Sequence, residues 1–440
     1  MAIFTKPGPF FTDLYELTMA RSYFENKMFD NAGFSLFIRE YPKGRSYFVA
    51  AGLGDALEGL ADYTFTPSDL LYLKSTGLFT DDFLAYLKDF KFTGTVRAMP
   101  EGTIFFKDEP VLEVSAPLIE AQILETFLIN TIGFQTMIAT KAARCVHAAA
   151  GRPVIDFSAR RTQGYEAAVK VARSSYIAGF AATSNVLAGK LYAIPVSGTM
   201  AHSYVTSFES EADAFAAYAR TYPDKAIFLI DTYDTIQGAK NAAKVALEMV
   251  KKGDRLVGVR LDSGEMVSLS RQVRKILDDA GLADVKIFAS SGFDEYGIAD
   301  VIDQGACIDA FGVGTKMGVS ADAPYLDIVY KMVCYKDRNI RKLSPGKVNL
   351  PGEKQVFRKT DEKGRSVGDT IAFKNEKIQD NMIKLLDLVM ENGRINSPSP
   401  SLVEIRDAFS RNFSCLDEAY KSLNGVENYP VAISQKLLEI

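Results

Sequence analysis

The chain has 440 residues, 47% of them hydrophobic, and its 51 Lys and Arg against 55 Asp and Glu leave a net charge of −4. That balance argues against a general role on nucleic acid or membrane surfaces, and the length suits two or three domains or one large barrel with appendages. No run of 18 apolar residues reads as a membrane span, "MAIFTKPGPFFTDLYELTMARSYF" does not read as a signal peptide, and the four scattered cysteines form no C-x-x-C pair, so a soluble cytoplasmic protein is expected.

In chain order, residues 1–150 combine strand-like stretches such as "FDNAGFSLFIREYPKGRSYFVAAGL" and "TVRAMPEGTIFFKDEPVLEVSA" with Gly and Pro turns. "APLIEAQILETFLINTIGFQTMIATKAARCVHAAAG" then reads as a long helical hairpin. From 151 to 334 short apolar runs recur: "RPVIDF", "LYAIPV", "AIFLID", "RLVGVRLD", "VKIFAS" and "CIDAFGVG". Each is short and β-branched or aromatic, and each ends on polar or glycine residues. Amphipathic helices lie between them. In "TIQGAKNAAKVALEMVKKG", Ala239, Ala242, Ala243, Ala246, Met249 and Val250 share one face and Gly253 is the stop. At least six such units imply a parallel sheet and an α/β fold, an irregular TIM-like β/α barrel, with a doubly wound open sheet as the competing architecture. Residues 335–440 are again turn-rich and strand-like. They are expected to pack back on residues 1–150 as an accessory β-rich α+β domain.

In either architecture the ligand site lies just past the C-terminal ends of the strands. That gathers Arg160 and Arg161, Thr199 and His202, Asp231 to Asp234, Asp262 to Glu265, Ser290 to Asp294, and Gly312 to Lys316. His202 is one of two histidines, and it stands at an expected strand end beside Ser197, Thr199 and Ser203. Such an imidazole can serve as acid, base or nucleophile, whereas His147, inside a helical stretch, reads as structural. "FGVGTKMG" and "SSGFDEYG" are glycine turns suited to a phosphate, and two on successive strands mean more than either alone. In "GVRLDSGE", Arg260 and Asp262 share one side of a strand, either as an ion pair or as a cation and a sugar-hydroxyl acceptor. Asp231 and Asp234 in "IDTYDT" suit magnesium held through water, or else helix capping. Together these residues point to a phosphorylated sugar.

The motifs "TDLYELTMARSYF", "AAGL", "PEGT", "QILETFLINTIGFQTMIATKAAR", "DFSARRTQG", "SGTMAHS", "DTYDTIQGAKNA", "VRLDSGE", "SSGFDE", "FGVGTKMG" and "KLSPGK" succeed one another over roughly residues 10 to 360. In that order they resemble the nicotinate phosphoribosyltransferase family, and "YPVAISQKLLEI" is similar to its usual ending. The resemblance implies an irregular α/β barrel with an N-terminal β-rich domain. It also implies transfer of phosphoribosyl from phosphoribosyl pyrophosphate (PRPP) to nicotinate in NAD salvage, with magnesium accompanying PRPP and ATP as co-substrate. By the same resemblance His202 is phosphorylated from ATP, Asp262 holds the ribose diol and Arg260 lies beside the pyridine ring. Phe157 stacks on that ring opposite Tyr15 of a partner subunit, which implies a homodimer. Arg160 contacts phosphate, Gly292, Gly314 and Thr315 cradle the 5′-phosphate, and Asp231 lies near pyrophosphate and magnesium. Thr199, next to the phosphoryl-accepting loop, belongs to the same substrate site.

Ser184 separates the nearest rival. Nicotinamide-specific relatives carry Asp there, which accepts from an amide NH₂ but repels a carboxylate; a neutral hydroxyl favours nicotinate. A phosphosugar aldolase or isomerase and a non-catalytic sensor are the remaining alternatives. The first would want a strand-end lysine, and only Lys316 in a glycine turn qualifies. The second would be expected to lack His202 or Asp262.

Overall fold

The computed structural model describes residues 8–336, 338–342, 349–378, 382–423 and 427–439. Most of the "KLSPGK" motif, and the first seven residues of the segment read for a signal peptide, lie outside these. The chain divides into two compact units, Met1–Thr140 with Ala323–Ile440, and Lys141–Asp322. These boundaries precede the sequence-based ones at 150/151 and 334/335. The first falls within the helix Glu125–Ala148, and the strand Ile328–Tyr335 pairs antiparallel with Asn31–Ile38, which draws it into the first unit.

In that first unit the two flanks share a seven-stranded sheet. Asn31–Ile38 lies between Ile328–Tyr335 and Pro110–Pro117, and Asp387–Glu391 pairs with Thr95–Ala98. A four-stranded sheet carries Lys354–Thr360 and Ser366–Phe373 at its centre. The expected helical hairpin is absent. Helix Leu118–Ile123 runs into Glu125–Ala148 through Leu124, whose φ −79° and ψ −15° stay helical, so the chain does not fold back there. Gly133, midway along that stretch, lets the helix approach Ile328: an added Cβ would lie 3.1 Å from its Cγ2. No described helix is long and apolar enough to cross a membrane.

The second unit is the irregular β/α barrel. Its parallel strands run in the order Ala182–Thr183, Val154–Asp156, Ala310–Val313, Lys286–Ala289, Gly258–Leu261, Ile227–Leu229. The first strand thus lies between the second and the last, as in a barrel; a doubly wound sheet would reverse direction beside its first strand. Among the described residues the outer two strands do not pair, so the barrel stays open there. Burial on both faces explains the apolar runs, with Val259, Leu261, Ile287, Ala289 and Phe311 all inaccessible to solvent.

Two sequence readings change. "LYAIPV" is not a strand: helix Val186–Tyr192 takes its start, Pro195 lacks an N–H, and only a single bridge, Thr183 to Val196, remains. The strand is Ala182–Thr183. On the helix Thr235–Lys251 the buried face takes Val245 in place of Val250, which is 56% exposed.

Candidate functional site

The strand Val154–Asp156 ends on a carboxylate with no solvent exposure. Asp156 Oδ1 accepts from Ser158 N (2.9 Å) and Oγ (2.5 Å), and Oδ2 accepts from Thr183 Oγ1 (2.7 Å). Burial pushes its pKa up while those donors pull it back. The network anchors the segments leaving both strands. The Asp156 carbonyl accepts from the Ser184 amide at 2.8 Å, and the short 3-10 turn Ala159–Arg161 carries exposed Arg160. Phe157 is half-buried, and its ring explains Gly312, where a Cβ would come within 2.5 Å of the ring carbon Cε2.

A second cluster joins three further strand ends. Asp231 Oδ2 accepts from the Asp262 amide (2.9 Å) and Ser263 Oγ (2.6 Å), whereas Oδ1 is buried and has no partner. Asp262 Oδ1 accepts from Ser290 Oγ at 2.6 Å. Its Oδ2 lies 3.8 Å from His202 Nε2, too far for a hydrogen bond. His202 Nδ1 is 3.1 Å from Thr232 Oγ1. The His202 and Asp262 side chains are 45% and 39% exposed, so both remain open to a ligand. His202 does not come after a full strand, as expected, but opens the short helix His202–Thr206 after the loop that replaces "LYAIPV".

Arg260 does not pair with Asp262. It donates through Nη1 to Thr199 Oγ1, and its Nε is buried without a partner. Burial pulls its pKa below the usual value, opposed by Asp262 and Asp231 and reinforced by the Arg160 charge. Of the two aspartates in "IDTYDT", Asp234 is the helix cap, accepting from Gln237 N at 2.7 Å, which leaves Asp231 to the site.

The two glycine turns are linked by their own residues. Gly292 adopts φ +63°, the left-handed region that glycine enters without penalty. Gly314 precedes the short helix Thr315–Gly318, whose Thr315 is exposed. Lys316 Nζ is 3.1 Å from Asp294 Oδ2, and Asp294 Oδ1 caps the next helix through Gly297 N at 2.9 Å. Burial would raise the Asp294 pKa, but the Gly297 amide and Lys316 outweigh it and hold the carboxyl low.

The barrel therefore brings Thr199, His202, Asp231, Arg260 and Asp262 into one hydrogen-bonded or charge-linked group. Phe157, Ser184 and Arg160 lie just past neighbouring strands. Asp156 and Thr183 were missed as organisers, although the "DFS" spacing, with a hydroxyl two residues after Asp, is a local turn signal. Among the described residues no group of three or more His, Cys, Asp or Glu could hold a metal by itself.

Tyr15 lies in the other unit, on helix Leu14–Glu25, and is 46% exposed. Its neighbour Glu16 is buried and accepts from Thr12 Oγ1, Thr126 N (3.1 Å) and Thr126 Oγ1 (2.7 Å). Burial, aided by the Glu125 charge and opposed by those donors, pushes its carboxyl up from 4.5 to about 7. The folded value exceeds the unfolded one, so this contribution to stability is complete below pH 4.5 and is lost as pH rises through 7. Thermal melts should show Glu16→Gln flattening part of that decline; superimposable parent and variant profiles would contradict it.

Comparison with known proteins points to one family and one fold. The nicotinate phosphoribosyltransferase family profile matches residues 153–336, and its N-terminal and C-terminal domain profiles match 10–133 and 378–440. A nicotinate phosphoribosyltransferase of Mycobacterium tuberculosis is 48% identical over 440 residues, covering 100% of this chain and 94% of the relative. One of Bacillus subtilis is 40% identical, covering 96% and 92%. The crystal structure of human nicotinic acid phosphoribosyltransferase superposes with a TM-score of 0.87 at 29% identity, covering 97% of this chain and 98% of that one. Nicotinate-nucleotide pyrophosphorylase from Pyrococcus furiosus gives 0.77 at 25% identity, covering 94% and 99%.

Proposed function

The chain belongs to the nicotinate phosphoribosyltransferase family, and we propose that it transfers phosphoribosyl from PRPP to nicotinate, giving nicotinate mononucleotide and pyrophosphate in NAD salvage. The observation that carries this reading is the Asp231–Asp262–Ser290 chain, which runs across three adjacent strand ends to the first of the two neighbouring glycine turns. Asp262, oriented by Ser290, accepts from the ribose hydroxyls, and the turns at Gly292 and Gly314–Thr315 offer backbone N–H groups to the 5′-phosphate. Phe157 stacks on the pyridine, with Arg260 and Arg160 supplying positive charge for carboxylate and phosphate.

Displacement at the anomeric carbon develops oxocarbenium character as the bond to pyrophosphate breaks and the ring nitrogen closes in. The residues need only align the reactants and balance charge. Magnesium accompanying PRPP would be held by Asp231 and Asp262, and the buried, unpartnered Oδ1 of Asp231 fits a hard cation or its water. When bound, that ion neutralises the leaving group.

ATP serves as co-substrate by phosphorylating His202, whose half-exposed ring is held at Nδ1 by Thr232. With His202→Ala, ATP hydrolysis and the ATP stimulation of transfer should vanish while slow ATP-independent transfer persists. Undiminished ATP hydrolysis would remove the phosphohistidine. The protein works in the cytoplasm as a homodimer in which Tyr15 completes the partner's site. Supporting this, Phe10, Phe11, Leu14 and Tyr15 expose 40–54% of their surface close together in sequence. Sedimentation as a monomer would end that part of the reading.

Mononucleotide formation from PRPP is to be assayed with nicotinate, nicotinamide or quinolinate, each with and without ATP. Turnover of nicotinate alone is expected. Turnover of nicotinamide alone would overturn the specificity argued from Ser184, and no turnover with any base would overturn the function.

A further inference from the structure

The two glycine turns are joined a second time, beneath the site, by a lysine that the reaction as described does not use. Lys141, on helix Glu125–Ala148, is 1% exposed. Its Nζ lies 2.5 Å from Glu295 Oε2 and 2.7 Å from Asp322 Oδ1. Glu295 is the first residue of the helix that leaves the Ser290–Asp294 turn, and Asp322 lies just past the Thr315–Gly318 helix that leaves the Gly312–Gly314 turn. One ammonium group therefore spans the two segments that leave the phosphate turns. On the exposed side, Lys316 and Asp294 make the matching link at 3.1 Å.

Neutralisation does not account for Lys141. The other oxygen of Glu295 already has a cation, Arg144 Nε at 2.9 Å, and Arg144 also donates to the Tyr296 hydroxyl at 3.0 Å. Asp322 is 27% exposed and within reach of water. Burying a further ammonium costs desolvation that a methionine would avoid. Burial does work against the Lys141 charge, yet Glu295 and Asp322 outweigh it and keep its pKa above the ordinary lysine value. What the lysine adds is a constraint on the spacing between the turns.

We propose that Lys141 is a positioning residue for the phosphate cradle, a bolt between Glu295 and Asp322 that holds the two glycine turns at the separation PRPP requires. The proposal rests on the reading of the function given above.

The test uses the full chain and two substitutions. Asp322→Asn takes the charge out of the partly exposed arm, leaving Lys141 at most a neutral acceptor there, and should fold with a near-parent melting temperature. Lys141→Met removes the bolt while leaving Glu295 its Arg144 partner. Calorimetry with PRPP should show each variant weakened about ten- to a hundredfold, the scale on which small misplacements of bound groups act. The KM for nicotinate should move less than about twofold, which a general loosening of the barrel would not allow. Parent-like PRPP affinity in Asp322→Asn and in Lys141→Met overturns the bolt and leaves the proposed function standing. A parent chain that binds no PRPP overturns both.

Discussion

Replacing Asp262 with Asn should lower kcat/KM for PRPP by about two to three orders of magnitude, the cost of losing one well-placed polar group that meets developing charge. Asp262 accepts from Ser290 through Oδ1, faces His202 through Oδ2, and receives no ion pair from Arg260. Its negative charge is therefore available to the sugar and to the cationic transition state. Asn keeps the shape and can still accept from Ser290, but it brings an NH₂ where only acceptors are wanted. Folding should change little, because the side chain is 39% exposed and Asp231 binds its backbone amide, which the substitution preserves. Steady-state kinetics and a thermal melt separate the two effects. A variant within threefold of the parent would remove Asp262 from the chemistry, and a collapse in melting temperature would make its role structural.

Arg358→Leu should destabilise the first unit by about 3–5 kcal/mol, the usual cost of orphaning a buried charge. Arg358 and Asp369 side chains are 7% and 0% exposed; Nη2 is 2.5 Å from Oδ2, and Nε is 3.0 Å from Oδ1. Tyr429 OH donates to Asp369 Oδ1 at 3.1 Å, and its ring stacks on Phe106 at 3.7 Å, with the guanidinium over both rings. Beside them Glu109 is completely buried, and burial together with the Asp369 charge raises its pKa well above the ordinary range. Arg358 is thus the cation serving two carboxylates. Without it the Glu109 carboxyl, which the Arg358 charge now holds down in part, is pushed up further, so the loss should grow as pH rises. Urea midpoints across pH measure this. Arg358→Leu combined with Asp369→Leu should recover most of the stability, and a single variant as stable as the parent would rule out the argument.

Much of the candidate site was legible because ligand-facing side chains in such a barrel cluster at strand ends, and strand ends show in a sequence as apolar runs stopping on polar or glycine residues. "RLVGVRLD", "VKIFAS" and "CIDAFGVG" were of this kind, and each marked a real strand. "LYAIPV" had the same composition but not the same outcome, since a proline and a helix end defeated it. Its place in the sheet fell to Ala182–Thr183, two residues with no pattern long enough to read. Likewise the hairpin expected before residue 150 rested on composition. Whether Leu124 turns or continues depends on backbone angles that packing selects.

The sequence by itself determined the fold class and the residue types at each strand end, since apolar periodicity and local turn chemistry act over a few neighbours, and its ordered motifs carried the family resemblance. The tertiary structure decided how those residues are used. It gave Asp234 to a helix and Asp231 to the site, turned Arg260 towards Thr199, set Thr232 against His202, and ran Lys141 between Glu295 and Asp322. Except for the local cap, these contacts join residues 30 to 181 positions apart in the chain. No pattern in the sequence encodes a distance of that kind, because only the closed packing of strands and helices brings the partners within bonding range.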